Sequence, residues 1–401
     1  MVNKRAPFLG LPRPVWLLGW VSLATDAATE AVYPLLPFFL TQVLGAGALA
    51  LGIVEGAAEG ANSILKILSG RLADRSRSKR PLVLIGYGVS SFVRPLIALA
   101  GTWAHVFTVR LVDRVGKGVR GAPRDAMLAA WTTPSTRGKV YGFHRAMDHA
   151  GAVVGPLLAS VFLLAYPGEY RTLFALTIVP GAIAFLLIFF VREDGGGAEP
   201  AARGSAAEPE ASAVALPPRF TRFMLVLALF TLGNSTDAFL LLKLTDAAGG
   251  AAYIPLMWAA LHVVKASVSV VGGSWSDRIG RRAVIAVGWL VYAAVYAGFA
   301  VSSSLPALLA WFLAYGFYFG LTEGTEKALV ADLAPASRRG VAFGIYNAVQ
   351  GLGALAASVI FGVIWTAIGP SAAFGFGGAL ALVSTVLLFA TLSPRAAGPR
   401  G

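Results

Sequence analysis

The stretch Gly273-Ser-Trp-Ser-Asp277-Arg278-Ile-Gly280-Arg281-Arg282 is present once in full and once in part in this chain. The partial copy is Gly70-Arg-Leu-Ala-Asp74-Arg75, and it continues with Arg77 where the full copy has its second glycine. Each copy follows an apolar segment of about 20 residues, the length that an α-helix needs to cross the hydrocarbon core of a bilayer. A basic turn after two such segments predicts a membrane protein with an internal repeat.

Two further pairs of segments occur in the same order on both sides of the chain. Residues 137–142 (Arg-Gly-Lys-Val-Tyr-Gly) are matched by residues 339–344 (Arg-Gly-Val-Ala-Phe-Gly). The tripeptide Thr-Asp-Ala stands at 25–27 and again at 236–238. Matched landmarks in a constant order favour two related halves, an arrangement known among secondary transporters.

Composition and charge support a membrane location and argue against nucleic acid as a partner. Of the 401 residues, 57% are hydrophobic and only 13% are charged, whereas soluble domains contain about 25% charged residues. The net charge of +13 is concentrated in a few short connections, while the connections at 42–50 and 302–306 contain no Lys or Arg. This alternation follows the positive-inside rule, so we expect the basic connections and both termini in the cytoplasm.

Apolar segments of spanning length number about twelve, with six on each side of a Gly-, Ala-, Glu- and Pro-rich stretch. We therefore expect an all-α polytopic membrane protein with an N-terminal six-helix bundle at 1–191 and a C-terminal bundle at 219–401. The stretch between them, at 192–218, is typical of a flexible cytoplasmic linker. We expect a multi-pass protein of the cell membrane, which is the inner membrane in a bacterium.

Enzymatic and metal chemistry are not predicted. The chain has no cysteine and four scattered histidines, which do not form a nucleophile or metal constellation. We therefore expect no enzyme activity, no cofactor and no metal site. A membrane-embedded enzyme or a sensor is a remote alternative.

The loop motif resembles that of the major facilitator superfamily, Gly-x-x-x-Asp-Arg/Lys-x-Gly-Arg-Arg/Lys. The resemblance implies two pseudo-symmetric six-helix bundles, alternating access, and loops that latch one conformation of the transporter. The residues that carry this gating role are Gly70, Asp74 and Arg75 in the first loop and Gly273, Asp277, Arg278, Gly280, Arg281 and Arg282 in the second.

A second resemblance concerns coupling to protons. Gly142, Gly151, Gly155 and Pro156 follow the spacing of the glycine-rich motif of the family's antiporter members, and Arg114 resembles its arginine motif, associated with proton transfer. Together they imply exchange against protons. Ordinary tight helix packing is the alternative explanation for the glycines.

Charged and polar residues within the apolar segments are the candidates for binding substrate and protons, because a charge in the bilayer costs several kcal/mol and is usually functional or paired. Buried structural ion pairs are the alternative. The repeat aligns Glu59 and Asn62 with His262 and Lys265, so we expect these positions to face each other across a cavity. The full candidate set is Asp26, Glu30, Glu59, Asn62, Arg114, Asp148, Asn234, Asp237, His262 and Lys265.

A second polar group is expected near the cytoplasmic edge, where long side chains reach the interface. For these residues we expect interfacial anchoring or a gate. The group comprises Lys66, Arg120, Arg124, Glu326 and Lys327.

These observations together predict a secondary active transporter, with proton-coupled efflux of small organic compounds as the leading function. Proton-coupled transport of an organic anion or a metal complex is the alternative. The expected partners are a small-molecule substrate, protons and the lipid bilayer, and we expect a monomer.

Overall fold

The computed structural model describes residues 11–76, 78–131, 137–191, 215–335 and 338–391. Within these ranges the regular elements are helices, and no strand occurs. The predicted all-α fold is confirmed. Most of the predicted linker at 192–218 lies outside the described residues.

Six helical segments precede residue 192. The first continues in short helical turns as far as Val43, the third ends in a 3₁₀ turn at Leu99, and the sixth consists of two pieces. Their bounds are α1 Arg13–Val32, α2 Ala48–Arg75, α3 Arg80–Val93, α4 Trp103–Ala130, α5 Arg137–Ala165, and α6 Tyr170–Leu176 with Ile178–Phe189.

Six further segments follow residue 217. The first of them is interrupted at residues 234–237, where the backbone leaves the helical conformation. Their bounds are α7 Pro218–Gly233 with Ala238–Ala248, α8 Ile254–Ile279, α9 Arg281–Val301, α10 Leu305–Leu333, α11 Arg339–Ala367 and α12 Pro370–Thr391.

Eight of these segments are long and apolar enough to cross a membrane by themselves, among the residues that the structure describes. The other four segments are α1, α2, α4 and α8, and they contain most of the charged residues that are candidates for binding substrate and protons. A helix with charges at membrane depth needs neighbours that cover its polar face. The polar helices therefore face the interior of the protein.

The two halves meet along α2 with α11 and along α5 with α8. Small residues make the first of these contacts close, because a Cβ atom at Gly52 would lie 2.3 Å from the backbone oxygen of Ser358. A Cβ atom at Gly56 would lie 3.1 Å from the backbone oxygen of Leu355. Close backbone approach through small residues is the usual way in which membrane helices associate.

The glycines of α5 make a comparable contact within the first half. A Cβ at Gly151 would lie 2.4 Å from the backbone oxygen of Leu23, and one at Gly155 would lie 2.2 Å from that of Ala27. Pro156 follows within the same helix. Gly142, the first glycine of the predicted motif, has no atom within 4 Å of its Cβ position. Two of the three glycines thus press α5 against α1.

We predict that Gly155→Ala lowers the melting temperature of the purified protein, because the added methyl group meets the α1 backbone. Gly142→Ala is the matched control, and it should leave stability unchanged or raise it, since alanine is favoured over glycine in helices by about 1 kcal/mol. Thermal unfolding in detergent measures both. Equal stability of the two variants would contradict the close α1–α5 contact.

Candidate functional site

A cavity of about 590 Å³ lies between the two halves. Its volume is within the range of small-molecule sites, roughly 300–1,000 Å³. Helices α1, α3, α4 and α5 of the first half and α8 and α10 of the second half supply its walls. The ionisable lining residues, apart from Tyr87, are Asp26, Glu30, Lys117, Arg120, Arg124, Asp125, Arg145, Asp148, His149, His262, Lys265 and Glu323.

At the end of the bundle away from the basic connections, contacts between the halves close the cavity. Trp258 Nε1 donates a hydrogen bond of 2.7 Å to Glu30 Oε2, and His262 Nε2 lies 3.9 Å from the same oxygen. The Tyr33 hydroxyl lies 3.4 Å from the Thr236 hydroxyl. The cavity extends from these contacts toward the basic end, where Arg124 and Asp125 lie on its wall.

Two carboxylates of the first half line the cavity with different surroundings. Asp148 accepts a hydrogen bond from Ser22, and its carboxylate lies 3.5 Å from His144 Nδ1 and 3.8 Å from Arg145 Nη1. Asp26 makes no hydrogen bond or ion pair with the described residues. Asp26 is therefore the carboxylate that a solute or a proton can engage without first breaking a contact.

The interruption of α7 brings polar groups of the second half together. Asn234 Nδ2 donates to the Tyr318 hydroxyl at 2.9 Å, and the Tyr315 hydroxyl donates to Asp237 Oδ1 at 2.8 Å. Asp237 Oδ2 lies 3.6 Å from Lys265 Nζ. Discontinuous helices of this kind place polar groups at the binding sites of transporters.

A separate ionic cluster joins α2, α3 and α4. Arg110 binds Glu55 through two hydrogen bonds, of 3.0 and 2.5 Å, and both side chains are buried. Asp113 lies 3.0 Å from Arg94 and 3.5 Å from Arg114. Because these charges satisfy one another in the protein interior, the cluster explains how α4 tolerates its charges at membrane depth.

Three residues of the candidate set belong to this ionic cluster and do not line the cavity. Arg114 lies 3.3 Å from Glu59, and Asn62 Nδ2 lies 3.5 Å from the same carboxylate. Glu59 and Asn62 are not among the residues that line this cavity with His262 and Lys265, and their placement opposite that pair stays a prediction. Although α2 and α8 are equivalent in the repeat, α2 packs against α11 and α8 packs against α5, so that His262 meets Glu30 of α1.

The structure brings the rest of the candidate set together at the cavity or next to it. Asp237 reaches the cavity through its ion pair with Lys265, and Asn234 lies in the break of α7. The residues that line the cavity directly are Asp26, Glu30, Asp148, His262 and Lys265.

Several polar residues have roles that the sequence did not predict. Arg120 and Arg124, expected at the cytoplasmic edge, line the cavity together with Tyr87. Glu326, expected at the same edge, is buried and accepts hydrogen bonds of 3.1 Å from Trp289, Tyr346 and Gln350. The side chain of Lys66 is outside the described part of the structure. The sequence showed the charged stripe along α4. It did not show which part of that stripe lines the cavity.

Five residues of the two loop motifs lie outside the part of the structure whose side chains are described. They are Gly70, Asp74 and Arg75 in the first loop and Gly273 and Asp277 in the second. In the second loop, Arg278 is exposed and Gly280 has a φ of +93°, a conformation that favours glycine. Arg281 Nε lies 3.3 Å from Asp332 Oδ2, and the Arg282 guanidinium lies 4.9 Å from the Phe389 ring centroid. These arginines connect the loop to α10 and α12.

The described residues contain no group of three or more His, Cys, Asp or Glu that could hold a metal ion. The geometry is that of a cavity whose walls carry both acidic and basic groups. Two six-helix halves that close around such a cavity define a polytopic membrane transporter.

Comparison with known proteins agrees with this class. The family model of the Major Facilitator Superfamily matches residues 17–264 and 238–401. An uncharacterized MFS-type transporter of Methanocaldococcus jannaschii is 33% identical over 384 residues, which cover 94% of each chain. The multidrug resistance protein MdtH of Edwardsiella ictaluri is 27% identical over 332 residues, covering 80% of this chain and 79% of the relative.

A crystal structure of a POT family transporter in complex with 5-aminolevulinic acid superposes with a TM-score of 0.80. The alignment covers 96% of this chain and 97% of that one, at 11% identity. At this identity the likeness supports the fold alone. The chain belongs to the major facilitator superfamily.

We predict that Arg110→Gln destabilises the protein by about 3–5 kcal/mol, because it leaves the Glu55 carboxylate buried without a partner. Asp125→Asn is the control, since it removes half of the more exposed Arg124–Asp125 pair and should cost about 1 kcal/mol or less. Unfolding of the purified protein followed by circular dichroism measures both. If Arg110→Gln is as stable as Asp125→Asn, the ionic cluster does not support the fold.

Proposed function

We propose that this protein is a secondary active transporter that exports small organic compounds in exchange for protons. Its transport cycle would alternate between the state described above and one in which the cavity opens at the other end. The observation that carries the proposal is the Asp26 carboxylate, which lines the cavity between the halves and has no hydrogen-bond or ion-pair partner among the described residues.

Exchange requires a group for which substrate and proton compete. A carboxylate within a membrane protein is a functional candidate by default, because its charge is costly unless something compensates it. Asp26 meets this requirement, and Asp148 and Glu30 on the same cavity wall supply further acidic groups. Protonation of Asp26 would release a cationic group of the substrate, and deprotonation would restore the site.

Alternating access requires contacts that hold one end of the cavity closed and can break. The hydrogen bond from Trp258 to Glu30 is such a contact, because it joins the two halves and uses a cavity carboxylate. In this proposal, a change at Glu30 would loosen the closed end.

The charge pattern and the relatives support the proposed direction and orientation. By the positive-inside rule we expect the basic end, toward which the cavity extends, to lie in the cytoplasm. Cytoplasmic access suits loading for export, and the similarity to the multidrug resistance protein MdtH supports efflux. We propose a monomer in the cell membrane with both termini in the cytoplasm, in which residues 192–218 link the two bundles.

Transport of an organic anion is a second candidate function. It is favoured by Arg120, a buried guanidinium on the cavity wall that has no carboxylate partner within 4.0 Å among the described residues.

Asp26→Asn should strongly lower proton-driven exchange, because an amide cannot bind and release a proton at this position. The assay uses proteoliposomes with an imposed pH gradient and a panel of small organic cations and amphoteric compounds. Gradient-driven flux in the variant should fall about ten-fold or more. Typical coupling free energies between two ligands correspond to changes of about 5- to 150-fold.

Glu169→Gln is the control for this assay, because Glu169 is an exposed carboxylate in the connection between α5 and α6. It should transport like the unmodified protein. If Asp26→Asn keeps full gradient-driven flux, or if no compound of the panel moves through the unmodified protein, the exchange proposal fails.

A further inference from the structure

Three cavity residues have a buried polar atom without a hydrogen-bond partner among the described residues, namely Tyr87, Arg120 and His262, and the first two lie side by side. Arg120 is 5% exposed and Tyr87 is 1% exposed. Neither Arg120 Nη1 nor the Tyr87 hydroxyl has a hydrogen-bond partner in the part of the chain that the structure describes. Both residues line the cavity between the halves. Each of the two residues therefore has a polar atom without a hydrogen bond next to the cavity.

The charge of Arg120 sets it apart from its neighbours along α4. Arg110 is paired with Glu55, and Asp113 is shared by Arg94 and Arg114. No carboxylate among the described residues lies within 4.0 Å of the Arg120 guanidinium, and the charges of Asp113 and Asp26 act on it from farther away. An isolated buried charge is strongly unfavourable, whereas a charge that meets a complementary ligand is compensated when the ligand binds.

The position of Arg120 is fixed by close packing of α3 against α4. A Cβ atom at Gly86 would lie 2.6 Å from Arg120 Cβ, so the α3 backbone lies directly against this residue. Tyr87 is the next residue of α3, and the Arg120 guanidinium carbon lies 4.1 Å from the centroid of its ring. Stacking on an aromatic ring holds the guanidinium plane and leaves its N–H edge available for hydrogen bonds.

We propose that Arg120 and Tyr87 form a subsite for an oxyanion, a carboxylate or a phosphate, of the transported compound. The guanidinium donates hydrogen bonds to the oxyanion, and the Tyr87 hydroxyl donates another. A planar fork of N–H donors matches both carboxylate and phosphate groups. The subsite provides a negative charge within hydrogen-bond distance of Arg120, closer than the carboxylates of Asp26 and Asp113.

This inference rests on the proposed exchange function and narrows its substrate class. Exchange at Asp26 requires a group that competes with a proton, which a protonated amine does. Arg120 and Tyr87 require an oxyanion in the same cavity. Compounds that satisfy both subsites are therefore amphoteric, with an amino group for Asp26 and a carboxylate or phosphate for Arg120 and Tyr87.

The test measures binding to the purified full-length protein in a neutral maltoside detergent, without a pH gradient, so that its result is independent of transport. The probes are benzoate and phenyl phosphate, which carry the two oxyanions, benzylamine, which carries the cationic group, and benzyl alcohol, which is uncharged. Ligand-induced shifts of the melting temperature give each dissociation constant. The variants are Arg120→Gln, Tyr87→Phe and Asp26→Asn, and Arg124→Gln is the matched control because Arg124 lines the same cavity but is paired with Asp125.

We expect saturable binding of benzoate, phenyl phosphate or both to the unmodified protein, and none of benzyl alcohol. Arg120→Gln should weaken oxyanion binding about ten-fold or more, and Tyr87→Phe about three- to ten-fold, as expected for a lost charged and a lost neutral hydrogen bond. Arg124→Gln should have a much smaller effect. Benzylamine binding should depend on Asp26 and should not be weakened by Arg120→Gln, because that change removes a nearby positive charge.

The anion subsite is overturned if neither oxyanion binds, or if Arg124→Gln weakens binding as much as Arg120→Gln does. Should Arg120→Gln fail to fold, Tyr87→Phe decides the matter, because it keeps the stacked ring and removes only the hydroxyl; unchanged oxyanion binding in that variant refutes the proposal. A result in which benzylamine binding requires Asp26 while oxyanions do not bind leaves the exchange function intact and removes only this subsite.

Discussion

The cost of placing charge inside a membrane governs this structure. Helix α4 carries a stripe of charged residues through the protein. The charges near the closed end and those farther along the helix are compensated in different ways. Near the closed end, Arg110 and Asp113 are compensated by partners on α2 and α3. Farther along, the Arg120 guanidinium lies over the Tyr87 ring, has no carboxylate within 4.0 Å among the described residues, and lines the cavity. The same helix thus joins the first half together and provides the wall of the binding site.

Much of the fold could be predicted from the sequence, because its determinants are local. The sequence alone shows apolar segments of spanning length, separated by connections that are alternately basic and uncharged. These features predicted the all-α fold. Matched segments such as 137–142 and 339–344 predicted the two halves. The candidate set included five residues that line the cavity, since an ionisable residue at membrane depth is conspicuous by itself. Asp26 and Lys265 are among them.

The remainder depends on which helices become neighbours, and the repeat alone does not determine this. Glu59 and His262 are equivalent in the two halves, yet a two-fold arrangement separates equivalent helices and brings α2 to α11 and α5 to α8. Glu326 looked like an interfacial residue by depth, but α9 and α11 cover it and supply its hydrogen-bond donors. Arg120 was also assigned by depth, although a cavity that reaches the basic end exposes residues there as well.

Movement of the two halves about the cavity is the central claim, and distances between spin labels at the two ends of the bundle test it most directly. The chain has no native cysteine, so a pair of cysteines can be introduced at chosen positions and labelled without competing sites. Exposed positions are Tyr166 and Tyr253 at the closed end and Lys139 and Val341 at the basic end. Acidification or addition of a transported compound should change the two distances in opposite directions. A single unchanged distance at each end under all conditions would contradict the account.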